Sequence, residues 1–474
     1  MTKTITAVLI GAGRRGLTVY GDYALKYRKK LKFVAVAEPI ETRRKKFASL
    51  HGILPERCYE SWQELFKEEQ FADVAFICTQ DQMHTEPTIQ ALDKGYDVLL
   101  EKPMAHTLQD CIKIVKKVEE TGRILGVGHI LRYSNFFSKV HEIVNKGLLG
   151  DIINITHREN VMWYHYAHSY IRGPWANKEK SSPMILAKCC HDLDLLYWIV
   201  NSLPKKISSF GNLLHFKAEN APKEGPNYCL DGCPAKKYCL YYAPRIYIDI
   251  LPITQMMAKS ENLTIKLLAW LRRSHSTFLT YISKIVKPFK KLRYYQDFPI
   301  YYLYTGQKED YSDKAKALIL KTSPFGRCVY RCDNNVVDHQ IVNIEFENGV
   351  TANLTMHGFS EQEGRTLRID GTKATLIGEF NVSGEKLYFY DHFTGKKKLA
   401  HIRKMSLEAS KKDEGDFELL DEFIETLIGK HKIQPLTNAR ASLESHLMAF
   451  AAEESRLNDK IIDLEEFRRK AEKF

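Results

Sequence analysis

Long hydrophobic runs are missing from this chain. No stretch approaches the roughly 20 uncharged apolar residues that a membrane-spanning helix needs, so no membrane span is expected. The opening residues MTKTITAVLIGAG lack the apolar core and small-residue cleavage site of a secretion signal. Their short apolar run reads as a buried strand, and a cytoplasmic location is expected. The ten cysteines contain no C-x-x-C pair, the usual spacing of a zinc ribbon. There is no recognised DNA- or RNA-binding motif, no internal repeat and no long low-complexity segment.

What is present is the composition of an ordinary globular protein, with 44% hydrophobic and 27% charged residues. At 474 residues the chain is too long for one compact core, so two domains are expected. The net charge of +12 comes from 70 Lys and Arg against 58 Asp and Glu. Much of that excess lies between Lys259 and Arg293, so it describes one segment rather than the whole surface, and no nucleic-acid partner is expected.

Apolar strands alternate with helices through the first 130 residues. Strands are predicted at Ile5–Ile10, Leu31–Ala37, Asp73–Cys78, Asp97–Leu100 and Ile124–Val127. Helices are predicted at Leu17–Tyr27, Glu41–His51, Glu86–Lys94 and Leu108–Glu120. This alternation predicts a parallel, doubly wound α/β sheet. After residue 130 the pattern changes. A helix is predicted at Phe136–Lys146, a half-exposed strand at Asp151–Arg158 and a helix at Ile185–Val200. Strands at Gln340–Phe346, Thr351–Met356, Thr366–Asp370 and Thr375–Phe380 are separated by turns such as Asn348-Gly349 and Asp370-Gly371. Those runs predict an open, mostly antiparallel sheet in a C-terminal α+β domain. Three further helices are expected at Phe417–Ile428, Ala439–Leu457 and Leu464–Ala471. The expected division is a Rossmann domain over 1–130 and a substrate domain over 131–474, with an insertion at about 217–335.

Gly11-Ala12-Gly13-Arg14-Arg15-Gly16 is G-x-G-x-x-G between a strand and a helix. Glu38 follows 22 residues after Gly16, at the end of the second strand. In that context the motif reads as a dinucleotide fingerprint. Gly11 permits the tight turn, Gly13 admits the pyrophosphate, and Gly16 lets helix and strand pack closely. The helix N-terminus directs its dipole at the phosphates. Glu38 should bind the ribose hydroxyls and repel a 2′-phosphate, favouring NAD over NADP. Arg43 and Arg44 are the nearby cations that argue the other way.

Val98-Leu99-Leu100-Glu101-Lys102-Pro103 places Lys102 just beyond the carboxyl end of a strand, where open α/β sheets bind ligands. The residue before Pro103 is biased to extended backbone, and the sequence leaves the isomer of that peptide open. In Ala187-Lys188-Cys189-Cys190-His191-Asp192-Leu193-Asp194, helical spacing would set Lys188, His191 and Asp194 roughly along one face. A histidine suits proton abstraction from a hydroxyl as hydride leaves the carbon. A neighbouring ammonium would stabilise the developing alkoxide.

These blocks resemble the glucose-fructose oxidoreductase, inositol dehydrogenase and rhizopine-catabolism family (Gfo/Idh/MocA). Their order and spacing match, and all of the chain but roughly 217–335 can be laid over the family. The resemblance implies a C-terminal α/β domain, with Lys102 and His191 flanking the nicotinamide. Candidate cofactor contacts are Gly11, Gly13, Arg14, Arg15, Gly16, Glu38, Glu101 and Lys102. Members commonly oxidise or reduce sugars, inositols or related compounds, and some retain the cofactor and cleave glycosidic bonds through transient oxidation. One departure matters. Many of the dehydrogenases carry an aspartate four residues before the histidine, and here that residue is Ala187.

Trp163-Tyr164-His165-Tyr166-Ala167-His168 and Arg172-Gly173-Pro174-Trp175 follow the first strand of the second domain. Trp163 and Trp175 offer stacking faces, and His165, His168 and Arg172 offer polar contacts. Together with Lys188 and Asp194 they are the candidate substrate residues. Cys229, Cys233 and Cys239 form a loose thiol group that would hold zinc or an iron–sulfur cluster; the alternative is locally packed thiols. Cys328 and Cys332 repeat the C-x-x-x-C spacing. Leu263 to Tyr295 mixes apolar and basic residues, and packing on its own domain or a subunit contact is expected. The reading is an NAD-dependent oxidoreductase acting on a sugar or cyclitol hydroxyl. It is expected to work as a homo-oligomer assembled through the C-terminal sheet. The alternatives are a glycoside-cleaving enzyme with tightly bound NAD and a non-catalytic NAD-sensing regulator.

Overall fold

The computed structural model describes residues 3–259, 263–274, 313–404, 415–429 and 434–473. Its first layer is a six-stranded parallel sheet. The strands are β1 (Ile5–Ile10), β2 (Leu31–Ala37), β3 (Cys58–Tyr59), β4 (Val74–Ile77), β5 (Asp97–Leu100) and β6 (Leu125–Val127). Their order in the sheet is β3-β2-β1-β4-β5-β6. Helices cover both faces, which is why β1 is apolar at every position but Thr6. Ala7 and Leu9 pack into one core, while Val8 and Ile10 pack into the other. The connections reverse direction between β1 and β4, and the loop after β1 opens at that switch point.

The chain punctuates its helices with local chemistry. Thr107 accepts the Asp110 N–H to start the helix Leu108–Thr121, and Gly122 ends it in the left-handed region. Asn438 caps the helix Ala439–Asn458 in the same way.

The second layer is a nine-stranded sheet. It contains β7 (Ile152–Met162), β8 (Pro204–Asn212), β9 (His339–Phe346), β10 (Thr351–Ser360), β11 (Gly364–Gly371), β12 (Ala374–Asn381), β13 (Gly384–Asp391), β14 (Lys397–Lys404) and β15 (Ile462–Asp463). The order is β14-β13-β12-β11-β7-β10-β9-β8-β15. Only β7 and β10 run parallel; the other neighbours are antiparallel. The mostly antiparallel sheet is therefore present and larger than the sequence pattern suggested. β8 and β14 are lysine-rich, and they escape a search for apolar alternation. All strands of the parallel sheet precede residue 128, and all strands of the larger sheet follow residue 151.

One expected helix is broken. Ile185–Val200 resolves into Met184–Ala187 and Cys190–Val200, with Lys188 and Cys189 between them. The insertion contributes short helices at Ala243–Tyr247 and Leu251–Ala258 and longer ones at Leu263–Ser274 and Asp313–Thr322. Most of the basic stretch from 263 to 295 lies outside the described residues, as its portion beyond 274 is not among them. Among the described residues, no helix is long and apolar enough to cross a membrane.

Candidate active site

The glycine-rich loop leaves β1 with Gly11 at φ +94°, a conformation that favours glycine. A Cβ on Gly11 would lie 2.6 Å from the Cys78 carbonyl oxygen, and one on Gly16 would lie 2.3 Å from the Gly11 oxygen. Those two glycines are fixed by packing within the protein. Gly13 differs, because a Cβ there would meet nothing within 4 Å. The open side of Gly13 fits the close approach of a pyrophosphate.

Glu38 sits at the end of β2, buried, and accepts the Ala12 N–H at 2.8 Å and the Ile40 N–H at 3.0 Å. Its carboxylate thus ties the glycine loop to the second strand. Arg44 donates to the Glu38 carbonyl oxygen at 2.5 Å and pairs with Glu60 at 2.9 Å. It is engaged locally rather than free for a phosphate. Arg15 reaches Glu101 at 2.5 Å and Asp416 at 2.7 Å, and Tyr20 also donates to Glu101. Burial raises the Glu101 carboxyl, but the charge of Arg15 and the bond from Tyr20 prevail and hold it below the usual range. Arg15 and Glu101 are therefore bound to each other beneath the loop.

Lys102 follows β5, and the Lys102–Pro103 peptide is cis. The Lys102 ammonium donates to the Ala187 carbonyl oxygen at 2.9 Å. Ala187 ends the helix Met184–Ala187, where carbonyls have no partner further along the helix. The Lys102 and His191 segments, far apart in sequence, are joined at this bond. Burial first, then Lys102, His129, Arg365 and Lys188 in turn, push the His191 imidazole well below its ordinary value. A neutral imidazole in that field can accept a proton from a hydroxyl only as the reaction develops charge.

A second group of charges lies behind His191. Lys188 reaches Glu159 and Glu363, each at 3.1 Å. Arg365 reaches Glu159 at 2.6 Å and Asp192 at 2.8 Å, and His157 lies 2.7 Å from Asp192. His165 meets Glu363 at 2.9 Å, and the same carboxylate accepts the Met162 N–H at 2.7 Å. Burial raises Glu363, but His165 and Lys188 overcome it and keep the carboxyl ionised. Burial dominates at Glu159 and raises its carboxyl. Burial raises the neighbouring Tyr164 hydroxyl, and Glu363 adds to the rise while Arg14 and Lys188 oppose it.

Several expected substrate residues are placed elsewhere. Asp194 is buried and takes both arms of Arg132, at 2.6 and 2.7 Å, so its carboxylate is spent on an internal ion pair. Because the helix breaks at Lys188, Lys188 does not share a helical face with His191 and Asp194. Arg172 is buried and donates to the carbonyls of Arg327 and Tyr241, each at 2.8 Å, holding the insertion in place. His168 stacks on Phe325 at 4.8 Å and meets the Tyr247 hydroxyl at 3.1 Å. Trp175 donates to Asp81 at 3.1 Å. Trp163 packs against Tyr164 and Tyr241. Among the expected substrate residues of the aromatic loop, His165 is the one that pairs with Glu363.

Of the two readings for Cys229, Cys233 and Cys239, the structure lends support to packed thiols and none to a metal. Among the described residues, no group of three or more His, Cys, Asp or Glu side chains is arranged to hold a metal ion. The ten cysteines are free, and burial raises the thiols of Cys239, Cys328 and Cys332 rather than favouring thiolates. Cys229 lies 3.7 Å from the Arg172 guanidinium. These are packed thiols.

Sequence reading missed Glu159, Glu363 and Arg365. Glu159 left a signal. On β7 the buried set is Ile155, His157, Glu159 and Val161, so two polar residues occupy inward positions. Glu363 gave none, because it stands in a polar turn between β10 and β11.

The oxidoreductase family model with an NAD-binding Rossmann fold (GFO_IDH_MocA) matches residues 5–129. The model of that family's C-terminal alpha/beta domain matches residues 303–464. The 2,7-anhydro-N-acetylneuraminate hydratase of Escherichia coli is 26% identical over 147 residues, covering 31% of this chain and 38% of that protein. The inositol 2-dehydrogenase of Salmonella paratyphi B is 22% identical over 153 residues, covering 32% and 42%. The chain thus spans less than half the length of these curated relatives. An oxidoreductase from Agrobacterium radiobacter, solved with NAD+, L-tartaric acid and magnesium, aligns over 98% of this chain and 99% of its own. Its TM-score is 0.63 at 15% identity, a likeness of fold. With both domain models matched, in the order the two sheets take along the chain, the protein belongs to the Gfo/Idh/MocA oxidoreductase family.

Proposed function

We propose that the protein is an NAD-dependent oxidoreductase acting on a hydroxyl of a sugar, cyclitol or sugar derivative. The observation that carries this reading is the bond from Lys102 to the Ala187 carbonyl. It holds the lysine at the sheet's ligand-binding edge against the segment that bears His191. When bound, NAD supplies a hydride acceptor at nicotinamide C4. Lys102 polarises the reacting oxygen, and His191 takes its proton. Glu38 faces the ribose and Gly13 leaves room for the pyrophosphate. Lys188, His165 and Glu363 supply donors and acceptors for the remaining hydroxyls. The residues to which NAD is assigned fit it: the open flank of Gly13 and the carboxylate at the end of β2 are where a dinucleotide requires them. The preference for NAD over NADP rests on Glu38 and on Arg44 being engaged with Glu60.

A second reading is glycoside cleavage with tightly bound NAD, through transient oxidation and elimination. Ala187 favours it, since the carboxylate common in the dehydrogenases is missing there. A screen of sugars, cyclitols and glycosides tests both readings, following NADH absorbance and released aglycone together. Net NADH formation supports the first, and aglycone release without NADH supports the second. If neither appears, both readings fail. A homo-oligomer assembled through the C-terminal sheet belongs to the same proposal, and molar mass in solution tests it.

A further inference from the structure

His129 lies just beyond β6, beside the carboxyl ends of the strands. It is fully buried, and neither ring nitrogen has a hydrogen-bond partner among the described residues. Its ring meets the His191 ring edge to face, with centroids 5.5 Å apart. On its other side stands His446, 5.7 Å away. His446 is fully committed: its Nε2 accepts the Met104 N–H at 2.7 Å, and its Nδ1–H donates to the Ser442 carbonyl at 2.7 Å. It has nothing left to offer His129. The Nδ1 of His191 is buried without a partner too. Three imidazole nitrogens, both of His129 and the Nδ1 of His191, thus stand close together, buried and without a hydrogen-bond partner among the described residues, and a buried polar group without a partner calls for an explanation.

The chemistry asks for such a partner. A histidine that takes a proton at Nε2 must carry its own proton at Nδ1, and that N–H needs an acceptor to fix the tautomer. Among relatives with an aspartate at the position of Ala187, a carboxylate stands close by. Here alanine removes it, and the strongest charges acting on His191 are all positive. Neutral imidazole supplies one lone pair. Burial keeps His129 neutral, with its own value pushed down to about 4. Across a centroid separation of 5.5 Å, nitrogens of the two imidazoles turned toward each other come within reach of a hydrogen bond. Catalytic hydrogen bonds commonly tighten in this way when substrate binds.

We infer that His129 is a positioning residue for His191, its ring lone pair receiving the His191 Nδ1–H in place of the absent carboxylate. The inference rests on the reading of His191 as the residue that moves the proton. Full-length protein labelled with 15N-histidine and saturated with NAD+ tests it by solid-state NMR, with His191→Gln identifying the His191 signals. In the wild type, His191 should be held with its proton at Nδ1. In His129→Leu the two tautomers should mix, and in His129→Gln, whose amide oxygen also accepts, the single tautomer should return. Turnover should fall in His129→Leu by about 10- to 100-fold, a fraction of the about 10²–10⁴-fold carried by a positioned general base, and recover in His129→Gln. NAD affinity should stay within about twofold, and His129→Leu should add nothing further in a His191→Ala background. An unchanged His191 tautomer in His129→Leu overturns the inference, as does a full second loss in the double variant. If His191→Ala itself keeps wild-type turnover, the reading of the active site fails instead, and the NMR result still decides whether the two rings are bonded.

Discussion

The Lys102 ammonium donates to the carbonyl of Ala187, 85 residues along the chain, at 2.9 Å. Position 187, an alanine, offers Lys102 a main-chain oxygen and no carboxylate. The bond fixes the Lys102 ammonium through a neutral acceptor, where its charge can stabilise a developing alkoxide. Lys102→Ala should reduce turnover by about 10²–10³-fold, the loss seen when one donor to a developing oxyanion is removed. Steady-state kinetics on a substrate from the screen measures this. Turnover at the wild-type level would remove the lysine from the reacting centre.

Glu38 holds the Ala12 N–H and is proposed to face the ribose as well. Glu38→Ala should weaken NAD by about 1.5–3 kcal/mol, the worth of hydrogen bonds to a charged group. NADP, which the carboxylate repels, should change less, so the gap between the cofactors narrows. Calorimetric titration of both nucleotides decides it. Tighter NADP binding to the wild type would reverse the assignment.

Asp194 was expected to face substrate, and the structure gives it to Arg132. The two side chains are both buried, at 4% and 1% exposure. Asp194→Ala should cost about 3–5 kcal/mol of stability, because it strands a buried guanidinium. Denaturant unfolding measures the loss. A variant as stable as the wild type but poor in turnover would return Asp194 to the substrate.

Much of this was legible in the sequence, for physical reasons that differ by region. β1 and β2 are largely buried, so apart from Thr6 and Lys32 their residues are apolar and their limits are plain. The glycine loop is legible because Gly11 and Gly16 admit no side chain. Lys102 and His191 stood out through their blocks, but nothing local announces the contact from Lys102 to Ala187. The helix break at Lys188 is likewise a tertiary event: the ammonium turns to Glu159 and Glu363, which arrive from β7 and from the turn before β11. His129 was missed for a similar reason. A single histidine after a strand has no periodicity, and its isolation from partners is visible only once the fold surrounds it.

Acid should unfold the protein through its buried histidines. Burial pushes His51 and His129 down to about 4, and His168 and His446 to about 3, from an ordinary value of 6.5. Between these values the unfolded chain binds more protons than the folded one. Stability contributed by these groups is therefore complete above about pH 6.5 and declines as pH falls toward 4 and then 3. Denaturant midpoints measured across that window should drop steadily with acidification. A midpoint that is flat from pH 7 to about pH 4 would contradict the burial of neutral imidazoles.

His191 carries the sharpest expectation. Its imidazole is neutral, pressed by burial and by Lys102, Arg365 and Lys188, and it is not used to hold the fold through any hydrogen bond at Nδ1. Its loss should therefore leave the cofactor site intact, since Gly13 and Glu38 stand on other elements. His191→Ala should keep NAD affinity close to wild type and lower turnover by about 10²–10⁴-fold, the usual contribution of a positioned general base. Lys102→Ala differs, because that lysine is also proposed to touch the cofactor, and the variant should weaken NAD binding as well. Ala187→Asp separates the two chemical readings. In a dehydrogenase it restores a carboxylate near His191 and should raise alcohol oxidation, whereas in a redox-cycling glycoside cleaver it should bring no gain in aglycone release. Turnover and nucleotide affinity of the three variants, with folding checked by circular dichroism, give the comparison. Activity of His191→Ala within about threefold of wild type falls far short of a general-base loss and would take His191 out of the mechanism.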